Sequence, residues 1–141
     1  MSSERLRTVA RRALAALGRA DREVHVTVVD DRQIRALNTR YLGIRRATDV
    51  LAFDLAGPGP ARLWGEVIVS AETAARQARR VGVPLAAELD LLVVHGLLHL
   101  AGYDDHEPRR ARRMHERARE ILAGRSPRSI PARLWTGLLE A

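Results

Sequence analysis

A chain of 141 residues with 46% hydrophobic side chains is the size of one folded domain and too apolar to be disordered. It has no cysteine, which excludes disulfides and thiolate metal ligands, and no apolar run of signal-peptide or membrane-spanning kind, so a cytoplasmic protein is expected. A net charge of +7 and a pI near 11.3 suit a polyanionic partner, because phosphate neutralisation releases counterions.

In chain order, residues 3 to 18 read as a helix, with Leu6, Val9, Ala10, Ala13 and Leu17 at helical spacing and Gly18 to end it. Residues 23 to 29 alternate as a strand, with His25 on the polar side. Asp30 or Asp31 caps a second helix that turns Ile34 and Leu37 inward and ends near Tyr41 to Gly43. Residues 48 to 54 form a second strand and Trp64 to Val69 a third. The Gly57-Pro58-Gly59-Pro60 loop between them is short enough for a hairpin, so antiparallel pairing is expected. Ser70 caps a helix running to about Arg80, which Gly82 breaks. Pro84 opens the next helix at a first-turn position, and Gly102 closes it. A last helix runs from Pro108 to about Leu122, with His115 expected on its surface. These elements predict an α+β fold, a small mixed sheet packed with about five helices. Residues 1–124 form the expected domain, and 125–141 a tail that docks, binds a partner or stays loose.

The chemistry concentrates at the fourth helix. Leu91 to Leu100 is apolar enough to be buried on most sides, yet it carries His95 and His99 four residues apart. That spacing sets both imidazoles on one face, one turn apart, and buried imidazoles need partners. Two imidazoles with a third donor make a metal site with an open position. In the zinc-protease pattern the third ligand follows six residues after the second, beyond a glycine. Here that position is Asp105, with His106 next to it. Spacing favours Asp105; imidazole chemistry favours His106. Zinc is the expected ion, although a carboxylate also admits manganese or iron. Gly96 stands where a metalloprotease keeps its general-base glutamate, so the helix is zincin-like while the protease chemistry is missing.

His95-Gly96-Leu97-Leu98-His99-Leu100-Ala101-Gly102-Tyr103-Asp104 resembles the H-G-x-L-H-L-x-G-Y-D signature of the YbeY family of bacterial metal-dependent endoribonucleases. Thr48-Asp49-Val50-Leu51-Ala52-Phe53 is similar to the family's T-D-V-L-S-F, and Gly65-Glu66-Val67-Ile68-Val69-Ser70 to its G-D-I-V-I-S. Leu37, Asn38, Tyr41 and Gly43 fit the segment ahead of them. Beyond Ala52 for Ser and Glu66 for Asp, two departures bear on the site: the third histidine falls on Asp105, and the arginine between the tyrosine and the glycine falls on Leu42. The resemblance implies cleavage of single-stranded RNA in maturation of the 16S ribosomal RNA 3′ end, in contact with the small ribosomal subunit, and in ribosome quality control.

On this reading the metal polarises a phosphodiester, and Arg45, Arg46, Arg109 and Arg112 are candidates, by position, to hold RNA phosphates. Arg45 is also a candidate to offset charge in the reaction. The general base is whichever of Asp105 and His106 is not a ligand, or Glu66 if the third strand reaches the site. Asn38, Thr48 and Asp49 either line the cleft or act as caps and turn formers. The rival readings are a non-catalytic RNA- or ribosome-binding protein with a structural metal, a zinc peptidase, and a metal-dependent hydrolase of small substrates.

Overall fold

A computed structural model describes residues 3–46, 48–55 and 63–124. Among the described residues, five helices, α1 (Ser3–Ala16), α2 (Asp31–Leu42), α3 (Ala71–Val81), α4 (Leu85–Leu100) and α5 (Pro108–Ala123), surround three strands, β1 (Glu23–Val29), β2 (Val50–Asp54) and β3 (Leu63–Ser70). The strand order is β1-β3-β2, with β1 parallel and β2 antiparallel to the central β3. The α+β fold with its mixed sheet is therefore as expected. The Gly57 to Pro60 loop and the 125–141 tail lie outside the described residues.

Local chemistry fixes most of the ends. Asp30 caps α2 through a capping box with Gln33, and Gly43 closes that helix in the left-handed region at φ 70°. Ser70 accepts the Thr73 N–H and caps α3. Pro84 serves as the N-cap of α4 rather than its first turn, because its extended ψ of 147° lies outside helical space.

The two faces of the sheet bury different helices. Val67 and Val69 on one side join the main core with α1, α3, α4 and α5. On the other side Ile68 and Leu51 pack against Ile34 of α2, a smaller second cluster. The central helix is α4, buried at every residue from Ala87 to Leu98. Each leucine or valine so covered contributes about 1.5–3 kcal/mol of transfer free energy. Its buried Asp90 is offset by Arg5 of α1 at 2.8 Å.

His115 corrects the sequence reading. It is buried, because α5 lays Met114, Ala118, Ile121 and Leu122 onto the core and His115 borders that stripe one turn before Ala118. No single described helix is long and apolar enough to cross a membrane.

Candidate metal centre

The end of α4 builds the site. Its last turn closes in a Schellman arrangement: Tyr103 N–H donates to the Leu98 carbonyl and Gly102 N–H to that of His99, both at 3.0 Å. Gly102 takes φ 98°, a conformation natural for a residue without Cβ. The reversal carries the Tyr103 carbonyl back over the helix end, where it accepts the Nδ1–H of His99 at 3.1 Å. A carbonyl can only accept, so the neutral His99 ring keeps its lone pair on Nε2. That atom faces His95 Nε2 at 2.8 Å, with the two rings stacked at 4.6 Å.

Beyond the turn, Asp104 is held by Arg110 at 2.9 Å and accepts the His106 N–H at 3.2 Å. This bend directs Asp105 inward, to 3.9 Å from His95 Nε2. Donor atoms of His95, His99 and Asp105 all lie within 4.8 Å of one another. Two nitrogens and a carboxylate oxygen at this range suit a divalent cation of the zinc type. Burial, and then the neighbouring His99, push the His95 imidazole down to about 4, against the pull of Asp49 and Asp105. It is therefore neutral at physiological pH, the form a metal ligand needs. His106 is exposed and outside this group of three.

The structure does not bring the other candidates to the imidazoles. Glu66 sits between Gly65 and Val67 on β3. Val67 lies against Gly96 of α4, so strand alternation turns Glu66 to the opposite face, with Ile68 and α2. Arg45 and Arg46 follow α2 and line a groove with Asp31, Arg32 and Arg35. Arg109 and Arg112 are exposed on α5. Beside the metal turn, a pocket of about 380 Å³ is lined instead by Arg110 and Arg113 with Ala101, Gly102, Tyr103 and Asp104. The stripe through Met114 sets that helix phase: position 110 lies one turn before it, and position 109 does not. Asn38 is a turn former, its Nδ2 donating to the Arg46 carbonyl. Thr48 donates to Asp49, which also accepts from Gln77 at 3.3 Å.

One charged group escaped the sequence reading. Glu88 is buried on α4 seven residues before His95, on the same helical stripe. Burial, and then the negative charge of Asp49, push its carboxyl up to about 7, while Arg80 pulls it down. The i, i+7 spacing was the signal that could have found it.

Position 96 has a packing reason of its own. A Cβ there would meet Val67 Cγ1 at 2.5 Å and Val50 Cγ2 at 3.2 Å. The position faces the sheet, so a larger side chain there would collide with β3 and crowd β2.

A family model described as Endoribonuclease YbeY matches residues 1–125. A protein named Endoribonuclease YbeY from Anaeromyxobacter sp. (strain Fw109-5) is 50% identical over 121 residues, covering 85% of this chain and 63% of its own length. The protein of the same name from Geobacter metallireducens is 44% identical over 131 residues, covering 87% of this chain and 86% of its own. The chain thus spans less than two thirds of the Anaeromyxobacter relative and most of the Geobacter one. The solution structure of TM1509 from Thermotoga maritima superposes with a TM-score of 0.61 at 28% identity, over 91% of this chain and 89% of that one. From the histidine pair through the strand blocks to these matches, every line leads to one assignment: the chain belongs to the Endoribonuclease YbeY family.

Proposed function

We propose that this protein is a metal-dependent endoribonuclease that cleaves single-stranded RNA during maturation of the 16S ribosomal RNA 3′ end and in ribosome quality control, acting in the cytoplasm on the small ribosomal subunit. The convergence of His95, His99 and Asp105 donors at the glycine-turned end of a buried helix carries the reading. Relatives named as endoribonucleases and the strongly positive charge support it.

His95, His99 and Asp105 would hold the ion, with zinc the default for two imidazoles and a carboxylate. A bound divalent cation supplies a Lewis acid that draws charge from phosphoryl oxygens and acidifies water. The protein's own part is orientation. Tyr103 fixes the His99 tautomer, and burial keeps His95 neutral. Arg110 and Arg113 present guanidinium groups beside the turn, where a phosphate can be held and developing charge offset. With Asp105 as a ligand, the exposed His106 next to it is the group left to take a proton from water. The peptidase reading finds no support at position 96, whose Cβ direction runs into β3.

The test is metal analysis joined to an RNA cleavage assay. The wild-type protein should carry about one equivalent of metal and lose cleavage to a chelator, and His99→Ala should lose both. Unchanged metal content in His99→Ala, or cleavage that survives chelation, would refute the proposal.

A further inference from the structure

Away from the imidazoles, the start of α2 and the loop after it form a groove of about 430 Å³ lined by Arg32, Arg35, Arg45, Arg46 and Asp31. All four arginines are exposed, and none is in an ion pair with a described carboxylate. Arg5, Arg76, Arg110 and Arg117, by contrast, each sit on an acid within 2.9 Å. The one carboxylate in the groove is already committed. Asp31 accepts the Ser70 and Thr73 hydroxyls, both at 2.6 Å, and pairs with Arg76 at 2.7 Å. Four guanidinium groups therefore crowd one concave surface without local neutralisation.

The loop that carries two of them is fixed in place. Buried Asn38 donates through Nδ2 to the Arg46 carbonyl at 3.0 Å, and the Ile44 N–H returns to the Asn38 carbonyl at 3.3 Å. Thr39 donates through its hydroxyl toward the carbonyls of Arg35 and Ile44, at 2.8 and 3.2 Å. Like charges held together by such stitching repel one another unless an anion lies between them. Three residues beyond Arg46 the chain reaches Asp49, next to β2, which packs against α4.

We infer that this groove binds successive phosphates of the RNA backbone, with Arg32 and Arg35 contacting phosphate directly and Asn38 positioning the Arg45–Arg46 loop. The inference rests on RNA being the substrate. It gives the strand a track on the α2 side of the sheet, so that binding does not depend on α5 alone. Guanidinium forks match phosphate oxygens, and the binding carries no base preference.

The test is fluorescence anisotropy of a labelled single-stranded oligouridylate across a salt series, with metal content measured on the same samples. For a single-stranded ligand, every phosphate that the protein no longer neutralises lowers the log–log salt slope by about 0.7. Arg32→Ala/Arg35→Ala should therefore lower it by about 1.4 with metal content unchanged. A control that removes equal charge from exposed positions of α1, Arg11→Ala/Arg12→Ala, should leave the slope at its wild-type value. A wild-type slope in the α2 variant, or equal reduction in both, overturns the groove. Failure of the nuclease reading looks different: the oligonucleotide is bound with the groove's salt slope but is never cut.

Discussion

A single missing side chain shapes the metal helix. Gly96 lies between the two imidazoles in sequence, and a Cβ added there would collide with Val67 and crowd Val50. Val67 is fully buried and β-branched, so it has no rotamer into which to retreat. Gly96→Ala should cost about 1–3 kcal/mol, seen as a melting temperature several degrees lower. A variant melting with the wild type would mean that β3 yields. Glu88 offers a second prediction at this scale. Its folded value of about 7 lies above the ordinary 4.5, so ionisation is costlier in the folded state than in the unfolded chain. Stability from this group is full below about 4.5 and declines as pH rises through about 7. Glu88→Gln, which cannot ionise, should match the wild type at acid pH and exceed it in urea midpoint at alkaline pH. Parallel pH profiles for the two proteins would contradict the assigned burial effect.

Between elements, the joint between α2 and α3 depends on one carboxylate. Asp31 receives the hydroxyls of Ser70 and Thr73 and the Arg76 guanidinium, while its own N–H donates to Glu72 at 2.8 Å. Those hydrogen bonds, led by the one from Ser70, lower its pKa from 3.8 to about 2. The stability it contributes is present above 3.8 and is lost as pH falls toward about 2. Asp31→Ala should cost about 1–3 kcal/mol near neutrality, and the difference from wild type should shrink at acid pH. Urea unfolding at two pH values measures this; a pH-independent difference would remove the charge from the account.

Across the whole molecule, the sheet separates two surfaces. The imidazoles and Asp105 gather where α4 ends, on the face that carries Val67. The α2 helix packs on the other face, against Ile68 and Leu51, and carries the groove arginines with it. Arg5 on α1 and Arg110 near the metal turn are paired with acids, whereas none of the four arginines lining the groove is. Salt dependence of RNA binding should accordingly trace mainly to the groove, as the paired α2 and α1 variants would reveal.

The sequence by itself determined the elements and the histidine pair. Capping residues, glycine stops and the alternation in β1 are short-range effects, and four-residue spacing places His95 and His99 together in any helix. It also left Asp105 and His106 both open as the third donor, with a slight lean to Asp105. In the tertiary structure Asp105, and not His106, falls within donor range of both imidazoles, on a loop held by the Asp104–Arg110 ion pair. Only docking could decide that Glu66 turns toward α2, that Arg110 and Arg113 rather than Arg109 and Arg112 line the metal-side pocket, and that His115 is covered. Periodicity reveals that an element has two sides; which neighbour each side meets is set by residues far away in the chain.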